Sequence, residues 1–167
     1  MEKQAQNLIN LYNEKGERHG YWESYYSNGQ LMCKGNWVNG KQDGYWEEYH
    51  SNGQLWRKGN LVNGKRDGYW EVYYSNNQLS RKGNLVNGQK HGYWEFYYSD
   101  GQLEYKGNWV NGKRDGYWED YCSNGQLWMK GKWVNGKFHE EKPVTELSMD
   151  EIAKRFGISV EQLKIRK

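Results

Sequence analysis

Short apolar stretches and tight-turn signals alternate along the chain on a fixed period. The triplet Gly-Tyr-Trp stands at Gly20, Gly44, Gly68, Gly92 and Gly116, 24 residues apart each time. Behind it one phrase returns, GYWESYYSNGQLMCKGNWVNGKQD in the first copy and GYWEDYCSNGQLWMKGKWVNGKFH in the fifth, which ends at His139. Each copy holds two turn signals such as Asn28-Gly29 and Asn39-Gly40, dipeptides favoured in tight hairpin turns. The stretches between them are rich in Tyr, Trp, Leu and Val and far too short for helices. Residues 20–26 and 31–38 are therefore expected to be antiparallel strands, two per unit. Five units cover residues 20–139, after a partial unit from Leu11 to His19. With neighbouring strands about 4.8 Å apart, the array predicts an all-β, elongated single-layer ribbon of hairpins, advancing roughly 10 Å per unit and about 50 Å long.

The two turns, taken as two-residue loops, also predict a register. Asn28-Gly29 sets Tyr26 opposite Leu31, Glu23 opposite Lys34 and Trp22 opposite Gly35. Asn39-Gly40 sets Trp37 opposite Gln42 and Gly35 opposite Gly44. Because side chains alternate between faces, one face should carry Trp22, Tyr26, Leu31, Gly35 and Trp37. The other should carry Tyr21, Glu23, Tyr25, Lys34 and Val38. The Trp22 ring is expected over the Gly35 backbone, an aromatic-over-glycine pairing. Repeated through the array, this assigns structural roles to Trp22, Trp46, Trp70, Trp94 and Trp118 and to Gly35, Gly59, Gly83, Gly107 and Gly131. Glu23 with Lys34 predicts a cross-strand ion pair, repeated as Glu47/Lys58, Glu71/Lys82, Glu95/Lys106 and Glu119/Lys130, each adding roughly 0.2–1 kcal/mol.

Composition bears on what such a sheet can do. A mean hydropathy of −1.24 with 35% hydrophobic residues would suit a disordered chain, but ten Trp, 15 Tyr and a single Pro argue against disorder. A one-layer sheet cannot bury a thick core, so rows of aromatic residues must supply the stability. Such a face is an exposed apolar patch unless twisted shut, dimerised or capped, which leaves a homodimer open. The chain has no run of 18 apolar residues, so no membrane-spanning helix is expected. The N-terminus lacks a signal-peptide core, and two cysteines, Cys33 and Cys122, make no disulfide framework, so a cytoplasmic location is expected. The net charge of +3 comes from interleaved basic and acidic residues, which argues against a nucleic-acid partner. Lys41, Lys65, Arg66, Lys113 and Arg114 gather near turns, yet Asp43, Asp67 and Asp115 beside them weaken attraction to an anionic lipid surface.

The repeated phrase, Gly-x-Trp-x-x-Tyr-Tyr-x-Asn-Gly-x-Leu-x-x-Lys-Gly followed by Asn-Gly-Lys, resembles the variant MORN repeat (membrane occupation and recognition nexus). The resemblance spans residues 20–139, with Asn77 replacing a turn glycine, Asp100 a turn asparagine and Lys132 the usual Asn after Lys-Gly. It implies an elongated antiparallel sheet of successive hairpins. Such arrays are similar across scaffolds, membrane-contact proteins and enzyme-attached modules, and many bacterial ones are labelled antitoxins.

Positions that vary between units bear on partners. Three series do so: Ser24, Glu48, Val72, Phe96, Asp120; then Met32, Trp56, Ser80, Glu104, Trp128; then Cys33, Arg57, Arg81, Tyr105, Met129. Trp, Tyr and Arg are the usual anchors of protein interfaces, which makes Trp56, Arg57, Arg81, Phe96, Tyr105 and Trp128 candidate contacts for a protein partner, with plain solvated sheet surface as the alternative. No catalytic constellation, cofactor-binding loop or metal site is expected. His19 and His91 lie three units apart, roughly 30 Å by the strand spacing, whereas zinc ligands must all lie within about 2.3 Å of one ion. The functional expectation is a non-enzymatic interaction or scaffold module. The alternative is an antitoxin-like neutraliser of a toxic protein, with a membrane-surface module behind both.

Residues 140–167 follow a different grammar, as do 1–19, expected to be an N-terminal cap with the partial repeat. After Pro143, Ser148-x-x-Glu151 is a capping box, followed by Ile152, Ala153 and Phe156 at helical spacing and a stop at Gly157. Ser159-x-x-Gln162 could open a second short helix. The segment weakly resembles a helix-turn-helix; it reads better as a small cap packed on the fifth unit through Ile152, Phe156 and Leu163, with a partner-binding adaptor as the alternative.

Overall fold

Each turn signal closes a hairpin, and the hairpins run on without a crossover. The computed structural model describes residues 8–141 and 148–160. Twelve strands form one antiparallel sheet in sequence order. They are β1 (Leu11–Tyr12), β2 (Arg18–Tyr25), β3 (Leu31–Val38), β4 (Lys41–Tyr49), β5 (Leu55–Val62), β6 (Lys65–Tyr73), β7 (Leu79–Val86), β8 (Gln89–Tyr97), β9 (Leu103–Val110), β10 (Lys113–Tyr121), β11 (Leu127–Val134) and β12 (Lys137–Glu140). One helix follows among the described residues, α1 (Met149–Phe156). It opens on the expected capping box, with the Ser148 hydroxyl accepting from the Glu151 N–H and the Glu151 carboxylate accepting from the Ser148 N–H. It stops at Gly157, whose φ of 65° is left-handed. Ile152 is half-buried and Ala153 buried. The Phe156 side chain, Leu163 and Gln162 lie outside the described residues, and with them most of the expected second helix.

The two turns differ, and the difference corrects the register. Asn39-Gly40 is a two-residue loop as expected, with φ of 47° and 76°, and it pairs Val38 with Lys41 and Trp37 with Gln42. Asn28-Gly29 belongs to a longer loop: Gly29 N–H donates to the Tyr26 carbonyl and Tyr26 N–H to the Gln30 carbonyl. Tyr25, not Tyr26, therefore faces Leu31, which moves Leu31 to the face of Glu23 and Lys34. A bulge at Met32 then takes up the extra residue, so Ser24 meets Cys33, Glu23 meets Lys34 and Trp22 meets Gly35. Asn77, standing for the turn glycine, adopts a φ of 67°, a conformation that Asn tolerates better than most residues.

The second correction lies on the other edge of each hairpin pair. Gly35 does not face Gly44; two further residues of β4 are looped out of the ladder, and Gly35 faces Trp46. The same slip recurs at Gly59/Trp70, Gly83/Trp94 and Gly107/Trp118. Each glycine thus stands between two tryptophans, and the row Trp22, Gly35, Trp46, Gly59, Trp70, Gly83, Trp94, Gly107, Trp118, Gly131 crosses ten strands in register. The ring over each glycine comes from the following unit. A Cβ on Gly35 would overlap Trp46, not Trp22, and one on Gly83 would overlap Cδ2, Cγ and Cε2 of Trp94. Gly131 has no following tryptophan, and a Cβ there would strike the backbone of His139 and Glu140 in β12.

This row is the core. Trp46, Trp70, Trp94 and Trp118 are all buried to within 2% exposure, which a flat single layer would not achieve without the glycine seats and their flanking side chains. Leu61, Leu85 and Phe96 complete the cluster. At three of the four looped-out pairs the indole N–H reaches a carbonyl of the preceding strand. Nε1 of Trp70, Trp94 and Trp118 donates to the Asn60, Asn84 and Asn108 carbonyls. Trp22, in the first unit, donates instead to the Leu11 carbonyl of β1, which with the Tyr12 ring 5.1 Å away covers the first edge. Trp46 presents its Cε3 edge to Gly35, and its Nε1 is buried with no partner among the described residues.

Candidate interaction surface

The opposite face is a closed charge ladder. Glu23, Lys34, Glu47, Lys58, Glu71, Lys82, Glu95, Lys106, Glu119 and Lys130 lie directly opposite one another from β2 to β11. The ion pairs close toward the following unit rather than within the hairpin: Lys34–Glu47, Lys58–Glu71, Lys82–Glu95 and Lys106–Glu119, at 2.8–2.9 Å. The expected Glu23/Lys34-type pairs are adjacent in register, but the ammonium has turned to the other neighbour. Each carboxylate also accepts a tyrosine hydroxyl two residues on, as from Tyr49, Tyr73 and Tyr121 at 2.6–2.7 Å. Those hydroxyls and the register fix the choice, because each tyrosine lies on the same strand as the glutamate and its ring underlies the lysine of the preceding strand (Lys58 over Tyr73, 5.8 Å). Hydrogen bonding to the carboxylates raises the lysine pKa values. Burial pushes the Glu47, Glu71 and Glu95 carboxyls up, but the lysine and tyrosine contacts outweigh it and hold them below the usual range.

The indole face is where the units differ. The Met32 bulge and the following register bring two of the three variable series together: Ser24, Cys33, Glu48, Arg57, Val72, Arg81, Phe96, Tyr105, Asp120 and Met129 form one row across ten strands. Four candidate contacts, Arg57, Arg81, Phe96 and Tyr105, therefore stand in line beside the Trp/Gly row. Arg57 is held by Glu48 at 2.7 Å and lies over the Trp56 ring at 4.2 Å. Phe96 is buried, stacked between Trp94 and Tyr105 with centroids 5.9 and 4.2 Å away, so it supports this surface rather than presenting itself. Arg81 is exposed and has no ion pair among the described residues. Trp56 and Trp128, at the bulge position, stand at the lip of two equivalent grooves three units apart, of about 380 and 340 Å³. Glu48 lines one groove and Asp120 the other. Burial pushes the Asp120 carboxyl up despite Arg114 nearby.

A third row on this face escaped the sequence reading. Arg18, Gln42, Arg66, Lys90, Arg114 and Phe138 occupy one repeat position. Arg66 and Arg114 had read as members of basic clusters at the turns; being one residue farther from the turn than Lys65 and Lys113, they project to the indole face. Arg66 lies over Trp70, Lys90 over Phe96 and Trp109, and Arg114 over Trp118 and Tyr105, at 4.2–5.7 Å. The signal was available as the even spacing of cations 24 residues apart, but only the register shows where they point.

The remaining candidates are local. Asp43 and Asp67 accept the backbone N–H of Asn63 and Asn87 in the next turn, at 3.0 Å. His19, His91 and His139 are exposed, while His50 takes a tyrosine's place and contacts the Tyr73 carbonyl at 3.3 Å. Both cysteines are free thiols. Among the described residues no group of three His, Cys, Asp or Glu side chains converges on a metal position, and no helix is long and apolar enough to cross a membrane.

A sequence model described as the MORN repeat variant matches residues 18–39, 42–63, 66–87 and 90–111, together more than half of the chain. Residues 116–139 lie outside that match but continue the same strands, turns and Trp/Gly row. No curated protein matches the chain significantly.

Proposed function

The chain belongs to the MORN repeat variant family, and from that premise we propose that it is a non-enzymatic protein-binding module whose partner lies across the indole face. The family suggests a repeat-based binding or scaffold module, and the all-β array is typical of non-catalytic ones. One observation carries the reading: variation between units gathers on the indole face, in the continuous row from Ser24 to Met129 and the series that flank it, next to a row that never changes. The ladder face, by contrast, repeats the same Glu, Lys and Tyr in every unit. A surface that differs from unit to unit can read a partner's sequence, whereas a uniform one cannot set a register.

The test is capture of a partner from native lysate by the intact protein and by three single variants. Tyr105→Ala, on the variable row, and Trp128→Ala, at the groove lip, are expected to lose the captured protein. Tyr69→Ala, an equally large and half-exposed side chain on the ladder face, is expected to keep it. Loss with Tyr69→Ala and retention with the other two would reverse the assignment of faces. An antitoxin-like role would demand more, namely that co-expression relieve the growth arrest caused by a toxic partner.

A further inference from the structure

Charge is distributed unequally between the two faces. On the ladder face Lys34, Lys58, Lys82 and Lys106 each have a carboxylate; on the indole face Arg66, Arg81, Lys90 and Arg114 have none within ion-pair distance among the described residues. These four lie in the second, third and fourth units. Burial, and then the neighbouring cations Arg57 and Arg81 for Arg66 and Arg81 and Arg114 for Lys90, push both pKa values down. Mutual repulsion of this kind is relieved by an incoming anion. The cationic stretch is bounded on both sides, by Glu48 toward the N-terminal end and by Asp120 toward the C-terminal end, each lining its own groove.

We propose that Arg66, Arg81, Lys90 and Arg114 hold a short acidic, amphipathic segment of the partner protein, its carboxylates spaced about 10 Å apart. The proposal rests on the binding face argued above and adds the chemistry of what binds there. The spacing follows from the repeat: Arg66, Lys90 and Arg114 recur once per unit, roughly 10 Å of sheet. Seven residues of an α-helix rise about 10.5 Å, and three residues of a polyproline II segment, which returns to the same face every third residue, about 9.3 Å. The apolar character follows from the aromatic side chains that flank the cations and stay accessible, the exposed Trp56 and Trp128 and the half-buried Tyr105 and Trp109, which favour apolar groups above them rather than a phosphate backbone. The short length follows from the ends of the stretch: on one side Glu48 is neutralised by Arg57, so that pair offers a polyanion no free cation, and on the other the Asp120 carboxyl stands in its path. For the same reason a nucleic acid or an anionic membrane, each presenting charge over a longer span, fits less well.

The experiment is fluorescence anisotropy with the purified full-length protein and defined labelled probes, at low and physiological salt. The probes are a helix-favouring peptide with Leu at core positions and Glu at every seventh residue, a proline-rich polyproline II peptide with Glu at every third, and Gln versions of both. A single-stranded oligonucleotide and vesicles containing phosphatidylserine complete the set. One Glu peptide should bind at least tenfold more tightly than its Gln version, and Arg81→Glu with Lys90→Glu should weaken it by about tenfold or more. Lys65→Glu with Lys113→Glu makes the same change in net charge at exposed turns and should leave binding within about twofold. Matching thermal melts for the two double variants would show that both fold. The proposal is overturned if neither Glu peptide exceeds its Gln version, if the turn variant weakens binding as much, or if the oligonucleotide or vesicles bind more tightly than both peptides. If the acidic probes fail while Tyr105→Ala still abolishes capture, the charge assignment falls and the binding face stands. If both fail, the face itself is wrong.

Discussion

The two faces of this sheet are made from alternate residues of the same strands, yet they solve opposite problems. The ladder face is polar, half-exposed and uniform: a Glu, a Lys and a Tyr recur in each unit, and almost every charge has its neighbour. The indole face buries four tryptophans to within 2% exposure on a single layer, with glycines as seats, and carries cations that only aromatic rings accompany. The ladder holds neighbouring units together with weak, redundant contacts. The indole row supplies the packing energy, and its borders are free to vary. A repeat protein can change partner specificity along such a border without disturbing either device.

The comparison predicts a large asymmetry between the faces. Trp70→Ala should cost about 3–5 kcal/mol through the cavity and the orphaned Asn60 carbonyl. Tyr69→Ala, its neighbour on the ladder face, should cost less than about 1 kcal/mol. Urea denaturation of both variants measures this, and equal losses would mean that the indole row is not the core.

A somewhat smaller effect identifies which ring sits on which glycine. Gly83→Val should cost roughly 3 kcal/mol, because the branched side chain would overlap Trp94. Trp94→Ala should recover part of that loss, while Trp70→Ala should add to it. The double-mutant cycles separate the two pairings. Coupling to Trp70 alone would restore the pairing read within one hairpin.

The ladder should show itself through pH. Glu47, Glu71, Glu95 and Glu119 have folded-state pKa values below the ordinary range. Their stabilisation is complete above the unfolded pKa of about 4.3 and is lost as pH falls through the folded values. Each is half-exposed and should contribute roughly 0.2–1 kcal/mol. Stability followed by urea titration should therefore fall between neutral pH and about pH 3, and the fall should be shallower in Glu71→Gln. Identical slopes in the two proteins would remove Glu71 from the ladder's account.

The smallest effect concerns a break in the turn edge. Asn28, Asn52 and Asn76 each donate a side-chain N–H to the serine carbonyl of the next unit, at 2.8 Å. Asp100 lacks that donor and only accepts from the Gln102 N–H. Asp100→Asn should restore the link to Ser123 and stabilise the protein by up to about 0.5 kcal/mol, the low end for an exposed hydrogen bond. A melt that does not rise would show that the fifth unit is already held as firmly as the others.

The sequence by itself determined what local chemistry controls. The 24-residue period, two strands per unit, the turn at Asn39-Gly40, the helix cap at Ser148 and the Trp22/Gly35 pairing were all legible, because each depends on residues close along the chain. Only the tertiary structure decided which strand each side chain answers to across the gap between units. The loop at Asn28-Gly29 and the bulge at Met32 offset one another, so Glu23/Lys34 came out in register although the turn itself is longer. The two looped-out residues beside each tryptophan leave no mark in any single strand. They seat a Trp ring over a glycine of the preceding strand and, at Trp70, Trp94 and Trp118, bring the indole N–H to a carbonyl of that strand. That slip carries the variable residues into one row and turns Arg66, Lys90 and Arg114 over the rings. Packing between units, and not propensity within them, therefore decided where the candidate surface lies.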